Sequence, residues 1–273
     1  MNWLSEMLSY AFIDRALIAG ILISICAALV GVSLVLRKSS MIGDGLSHTT
    51  FGAFAVATAC SLAPLWFTIP VVIAASFLVL KLSNSKRANG DALIALLSAS
   101  SLAIGVMAIS LTKGVNIDLN SYLFGSILSI DWSDVWLSLV LTIVVVLLYL
   151  FAHNRIFAIT FDEDFAKASG IKTSVYDAIF AIICSLVVVL GMRLLGALLI
   201  SSLIIFPTLI AMQFSKSFNR VVICSVLISV VNFVLGLTIS YLIASPTGAT
   251  VVIVNLVVLM ITYIVRKLIL GKR

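Results

Sequence analysis

Long apolar segments separated by short polar ones run along almost the whole chain. Nine such segments of about 20 residues are each long enough to cross the hydrocarbon core of a bilayer as a helix. They cover residues 16–36, 43–62, 64–82, 91–112, 133–152, 175–192, 194–213, 220–243 and 248–267. The pattern predicts an all-α, polytopic membrane protein with about 8–9 transmembrane helices, forming a single transmembrane domain over 1–273.

Three parts of the chain fall outside this simple pattern. Residues 1–15 predict an N-terminal segment lying in the membrane interface. The interval 114–131 is compatible with a short re-entrant helix on the outer side. The sixth and seventh segments are separated only by Gly191-Met192-Arg193, so we expect a hairpin there.

The charges predict how the chain lies in the membrane. Hydrophobic residues make up 62% of the sequence and charged residues only 10%, and the mean hydropathy is +1.26. With the N-terminus outside and the C-terminus inside, all but three of the 17 Lys and Arg residues fall on the cytoplasmic side; the three are Arg15, Lys113 and Arg193. The net charge of +6 therefore reflects topology, and we expect membrane lipid around the protein and no nucleic acid as a partner.

Two ionisable residues lie four positions apart inside the second apolar segment. Asp44 and His48 share one face of a helix at this spacing. Ionisable groups at membrane depth are costly, so such a pair indicates a substrate path. A carboxylate with an imidazole suits a divalent transition metal, and the glycines Gly43, Gly45 and Gly52 allow neighbouring helices to approach closely.

Each member of the pair also has an ordinary structural interpretation. Asp44 could cap the start of its helix, and His48 could hydrogen-bond a neighbouring helix. Two ligands do not complete a tetrahedral site, so the others must come from other helices, a second subunit or water. Met41, Ser47 and Met192 are weak candidates for these positions.

The most polar stretch of the chain, 161–173, predicts a short amphipathic helix on the cytoplasmic side that ends at Gly170. Acidic residues at its start favour the helix dipole. It is either an ordinary solvated helix or a coupling helix that docks on an ATPase subunit, with the small residues Ala168 and Gly170 permitting close contact.

Several catalytic signatures are missing from the sequence. It has no GxxxxGK[ST] loop, so we expect this chain not to bind nucleotide phosphates itself and to bind no cofactor. Neither histidine opens an HExxH motif, and an intramembrane enzyme is the least favoured interpretation.

Five ordered blocks of sequence resemble the permease family of bacterial ABC importers for zinc, manganese and related divalent metals. The strongest is LRKSSMIGDGLSHTTFGAFAVA at 36–57, which contains the Gly-Asp-x-x-x-His segment of that family. The others are SYLFGSIL at 121–128, DEDFAKASGI at 162–171, LLGALLISSLIIFPTLIA at 194–211 and SPTGATVVIV at 245–254.

The resemblance implies a homodimeric permease in the bacterial cytoplasmic membrane, with two ATP-binding subunits on the cytoplasmic face and an extracytoplasmic metal-binding protein that delivers Zn²⁺ or Mn²⁺. By position, Asp44 and His48 match the pair that lines the translocation path. The segment that faces the ATPase subunit contains Asp162, Glu163, Asp164, Ala168 and Gly170.

Two other kinds of transporter remain open from the sequence. One is the permease of an ABC importer for a metal chelate such as a siderophore, in which the Asp/His pair would have no evident role. The other is a secondary, ion-coupled metal transporter, which would need no ATPase.

Overall fold

The computed structural model describes residues 9–83, 90–112, 124–125 and 130–270, and within them every regular element is a helix. Ten helices follow one another along these residues. They are α1 (Ala11–Leu36), α2 (Met41–Ala59), α3 (Pro64–Ser83), α4 (Gly90–Leu111), α5 (Trp132–Phe161), α6 (Glu163–Ala168), α7 (Thr173–Leu195), α8 (Ala197–Phe214), α9 (Phe218–Ile243) and α10 (Thr247–Leu270).

The long helices confirm the predicted all-α membrane fold. Seven of them, α1, α4, α5 and α7 to α10, are long and apolar enough to cross a membrane. In α3, Pro64–Leu80 forms a shorter apolar helix, and α2 is the least apolar of the nine long helices. These nine correspond one to one with the predicted apolar segments.

Two predicted features at the edges of the bundle cannot be compared in full. Residues 1–8 of the predicted interfacial segment lie outside the described residues, and α1 already begins at Ala11. Most of the interval 114–131 also lies outside them.

The predicted hairpin at Gly191-Met192-Arg193 is wrong, because α7 continues through these residues to Leu195. The chain turns at Gly196, whose φ of 92° and ψ of 158° are accessible essentially only to glycine. Gly191 serves packing instead: a Cβ there would lie 2.4 Å from the Cδ1 atom of Ile200. Both glycines therefore mark the α7–α8 hairpin, but only Gly196 bends the backbone.

The centre of the bundle is formed by α8, which packs against α1, α2, α7, α9 and α10. Helices α1 and α7 are largely buried around it, whereas few residues of α4 and α10 are buried. An exposed apolar periphery around a packed interior is what a bilayer environment requires.

The two ends of the bundle can be told apart by their ion pairs. At one end, Arg15 pairs with Asp131 at 3.4 Å and Arg193 pairs with the buried Asp134 at 3.0 Å. The opposite end carries α6 and the pair of Arg37 with Asp177. We call these the outer and inner ends, after the orientation predicted from the charges.

Three of the quoted sequence blocks meet at the outer end. A Cβ on Gly125 would lie 2.3 Å from the carbonyl oxygen of Leu195, next to the turn at Gly196. A Cβ on Gly248 would lie 2.3 Å from the carbonyl oxygen of Phe124. Backbone therefore touches backbone at these points, which requires glycine.

Candidate functional site

Helix α2 is held between its neighbours by close contacts at its glycines. A Cβ on Gly45 would lie 2.5 Å from Ile94 of α4, and one on Gly52 would lie 2.3 Å from the carbonyl oxygen of Ser101. Gly43 faces Ile204 of α8 in the same way, at 3.1 Å. The expectation that these glycines permit close approach is confirmed.

Asp44 and His48 form the open part of this helix. From Ile42 to Ala55, all residues except Asp44 and His48 are buried. The side chains of these two residues are 40% and 24% exposed. Their Oδ2 and Nε2 atoms are 3.8 Å apart. The helix thus presents one carboxylate and one imidazole side by side on an otherwise covered surface.

Neither structural interpretation of the pair agrees with the structure. Helix α2 begins at Met41, three residues before Asp44, with Ser40 at the N-cap position. The Nδ1 atom of His48 is buried and has no hydrogen-bond partner among the described residues. The separation of 3.8 Å also exceeds a hydrogen bond, so the two side chains do not satisfy each other.

The spacing of the pair suits a shared metal ion. Zinc binds oxygen and nitrogen ligands at about 2.0–2.2 Å, so two ligands at the tetrahedral angle lie about 3.4 Å apart. A side-chain rotation that moves either atom by a few tenths of an ångström would bring Oδ2 and Nε2 to that distance. Both atoms can therefore ligate one ion with little rearrangement.

Of the three weak ligand candidates, Ser47 and Met192 are engaged elsewhere and only Met41 is exposed. The Ser47 hydroxyl donates to the Asp44 carbonyl at 2.7 Å and also bonds Ser201 at 3.2 Å. Met192 is buried in the hydrophobic core, and Met41 is exposed at the start of α2. Within the described residues, no three His, Cys, Asp or Glu side chains lie close enough to bind one metal ion. Of these residue types, one chain therefore supplies only Asp44 and His48 to the candidate site.

The second histidine occupies a different environment. His153 Nε2 lies 2.8 Å from Asn219 Oδ1, and its ring packs against Phe218. This is a satisfied structural histidine near the inner end of α5, and it provides a natural control for His48.

A buried polar network behind the site was not identified from the sequence. Asn232 donates to Asn255 at 2.7 Å, and Asn255 donates to Ser202 at 3.2 Å, all deep in the bundle. The adjacent Ser201 reaches Ser47 on α2. Helix α8 thus links α9 and α10 on one side with the Asp44/His48 helix on the other. The sequence feature that could have indicated this network is the single Asn in each of two apolar segments, Asn232 and Asn255.

The predicted short helix is present as α6, and Gly170 ends it as expected. Asp162 caps its start by accepting a 2.9 Å hydrogen bond from the Phe165 amide. Gly170, with φ of 82°, follows the last turn, and the Ile171 amide donates back to the Ala166 carbonyl. Ala166 is buried and fixes the helix against the bundle.

The residues assigned to the ATPase contact divide into two groups. The side chains of Asp162 and Glu163 are engaged locally, since Glu163 pairs with Lys167 at 2.6 Å. The hydrogen bond that Lys167 donates to Glu163 raises the pKa of Lys167. Asp164, Ala168 and Gly170 are exposed. The sequence analysis missed Phe165, whose ring is 64% exposed on the same helix.

A polar cavity of about 190 Å³ lies between α6 and the start of α2. Its lining includes Arg37, Asp177, Thr160, Glu163 and Ile42. The Arg37 Nε and Thr160 Oγ1 atoms are buried there and have no hydrogen-bond partner in the described part of the chain. Polar atoms of this kind normally bind water, so the cavity is suited to hydration.

Comparison with known proteins identifies the class to which this arrangement belongs. The model of the ABC 3 transport family matches residues 9–266, and the chain belongs to this family. The manganese import system permease protein ScaB of Streptococcus gordonii is 28% identical, over 94% of this chain and 92% of that protein. The high-affinity zinc uptake system membrane protein ZnuB of Haemophilus influenzae is also 28% identical, over 87% and 91%.

A solved structure agrees with this assignment. PsaBC from Streptococcus pneumoniae in complex with Fab superposes with a TM-score of 0.85 at 26% identity, covering 96% of this chain and 94% of that chain. The chain is thus a permease, a membrane subunit without catalytic activity, and ATP hydrolysis resides on a separate subunit. The predicted resemblance is confirmed, and the chelate permease and secondary transporter are not favoured.

Proposed function

We propose that this chain is the permease subunit of an ATP-driven importer that moves Mn²⁺ or Zn²⁺ into the cytoplasm, with Asp44 and His48 lining the translocation path. The observation that carries the proposal is the exposure pattern of α2. Only these two side chains are open along Ile42–Ala55, and their ligand atoms are 3.8 Å apart. Relatives that carry manganese or zinc in their names support the choice of ion.

A shared ion would explain one feature of the pair that is costly without it. The carboxylate of Asp44 lies beside the His48 ring, 3.8 Å from Nε2, without a hydrogen bond to it. An ion bound between Oδ2 and Nε2 compensates the cost of placing these groups at membrane depth. Additional ligands from a second copy of the chain or from water would complete the coordination.

The decisive experiment compares the two histidines. Uptake of ⁵⁴Mn²⁺ and ⁶⁵Zn²⁺ is measured in proteoliposomes that contain the permease, its ATPase subunits and the metal-binding protein. Loss of groups that only orient a ligand costs about 10- to 100-fold, so losing a ligand in His48→Ala should reduce uptake at least as much. His153→Ala, which removes a contact with Asn219, should retain most of the uptake.

Asp44→Asn tests the second ligand under the same conditions and keeps the side-chain volume. It should lower uptake of both ions while complex assembly and basal ATP hydrolysis persist. Uptake by His48→Ala equal to that of His153→Ala would exclude the path assignment. Uptake by the permease without ATPase subunits would exclude an ATP-driven importer.

The orientation and the assembly form part of the same proposal. The basic residues favour an outer N-terminus and an inner C-terminus, in a homodimer that binds two ATPase subunits inside and a metal-binding protein outside. In this orientation α6 lies in the cytoplasm, and Phe165 projects from it. An exposed aromatic ring on a short helix is a typical interface anchor.

We therefore expect α6 to be the coupling helix, with Phe165 buried in a groove of the ATPase subunit. Phe165→Ala should weaken copurification of the ATPase subunit about 10-fold, in the range for anchor residues. Phe151→Ala is the matched control, since Phe151 is more exposed but lies on the membrane-spanning part of α5. Equal retention of the ATPase subunit by both variants would remove Phe165 from the interface.

A further inference from the structure

A pocket of about 540 Å³ opens where the inner ends of α5 and α7 meet the loop that follows α6. Arg155 and Lys172 supply two positive charges to its wall, and the described residues that line it include no Asp or Glu. The remaining wall is largely apolar, with Ile171, Val175 and Ile179. The pocket thus combines a cationic part with an apolar part.

Both cations are available to an anion. Arg155 donates to the Tyr176 hydroxyl, and its guanidinium carbon lies 5.7 Å from the centre of that ring. These contacts orient the guanidinium but leave its charge uncompensated. In the part of the chain that the structure describes, neither Arg155 nor Lys172 has a carboxylate partner within ion-pair distance.

The apolar part of the pocket continues toward the middle of the bundle surface. On α5, the exposed side chains of Val144, Leu147 and Phe151 lead down to Arg155 at helical spacing, so all four share one face. Phe151, one turn above Arg155, is 85% exposed. On α7, the side chains of Val175, Ile179 and Ile182 form a second stripe. The pocket is therefore the inner end of an exposed apolar groove.

The depth of Arg155 matches the level of lipid headgroups. Trp136 is exposed near the outer end of α5, as is usual for tryptophan at a membrane interface. Arg155 lies 19 positions after Trp136, which corresponds to about 28 Å of helix, close to the thickness of the hydrocarbon core. A cation at this depth sits where lipid phosphates lie.

We propose that this pocket binds the headgroup of an anionic phospholipid from the inner leaflet, with the acyl chains lying along the groove between α5 and α7. The phosphate accepts hydrogen bonds from the Arg155 guanidinium and the Lys172 ammonium. The site goes beyond the transport function and rests on it only for the orientation of the chain. Because the pocket includes Gly170 and Lys172, a bound lipid contacts the segment that connects α6 to α7.

Native mass spectrometry of the detergent-solubilised complex with its ATPase subunits tests the site. Phosphatidylglycerol and phosphatidylcholine of equal chain length are titrated in parallel. Each cation near a membrane surface contributes about fivefold, so Arg155→Gln with Lys172→Gln should weaken phosphatidylglycerol binding about 30-fold. The control, Arg266→Gln with Lys267→Gln, removes the same charge from the exposed inner end of α10 and should leave that binding intact.

Three results would overturn the proposal. The first is equal binding of the two lipids, and the second is an equal loss of phosphatidylglycerol binding in the α10 control. The third is lipid binding to the free permease that disappears in the complex, because the ATPase subunit then fills the pocket. Lys172→Gln alone is the variant least expected to disturb folding, because this side chain is exposed, and it should weaken binding about fivefold. Failure of the lipid test leaves the comparison of His48 with His153 unaffected.

Discussion

The guanidinium of Arg37 donates a 2.8 Å hydrogen bond to the carboxylate of Asp177 and lies 5.5 Å from the centre of the Phe180 ring. This pair joins the inner end of α1 to the start of α7, one side of the polar cavity that reaches Glu163 on α6. Both side chains are mostly buried. A single ion pair thus connects the segment before α2 with the segment after α6.

Removing one partner of this pair should destabilise the protein. Asp177→Ala leaves the Arg37 charge mostly buried, and we expect a loss of about 3 kcal/mol, the lower end for buried pairs because some solvent remains. Thermal unfolding in detergent measures it. Glu163→Gln breaks the more exposed pair with Lys167 and should lower the stability less than Asp177→Ala does.

The double variant Arg37→Met, Asp177→Leu separates charge burial from packing. It removes both charges and should be more stable than Asp177→Ala alone. If the double variant is less stable than Asp177→Ala, the attraction between Arg37 and Asp177 exceeds the free-energy cost of burying their charges.

The turn at Gly196 should be less tolerant of substitution than the helix end at Gly170. Gly196→Ala forces a residue with a Cβ into φ and ψ angles that favour glycine, which should lower the stability by about 1–3 kcal/mol. Gly170→Ala has a left-handed φ but open space around it, and should cost about 1 kcal/mol. Membrane yield and unfolding temperature compare them. Similar losses for both variants would refute the special role of Gly196.

The buried amide pair should stabilise the contact between α9 and α10. Asn255→Leu leaves the Asn232 amide without its acceptor, and we expect a loss of about 1–2 kcal/mol. The double variant Asn232→Leu, Asn255→Leu should recover part of it, as neither side chain is then unsatisfied. Thr238→Val, which removes a bond only to its own helix, is the control. No recovery in the double variant would mean that volume, and not hydrogen bonding, dominates at this position.

Local patterns in the sequence were sufficient for the helices and for the Asp44/His48 pair. Helical spacing alone places Asp44 beside His48, and Gly170 ends α6 because its signal is local. The turn between α7 and α8 was misplaced because two glycines compete within six residues. Only tertiary contact with Ile200 shows that Gly191 is needed for packing.

Long-range partners could not be obtained in this way. Nothing in the sequence pairs Asp177 with Arg37, 140 positions away. Ser201 binds Ser47 across two helices, yet serine is common in membrane helices and carries no distinctive signal. Phe165 was overlooked because an aromatic residue in an amphipathic helix is normally buried.

The close backbone contacts at Gly125, Gly196 and Gly248 leave no space at these points of the outer end. The inner end, in contrast, has a polar cavity beside α6. Side chains beside α6 can therefore change position with less steric conflict than side chains at the outer end.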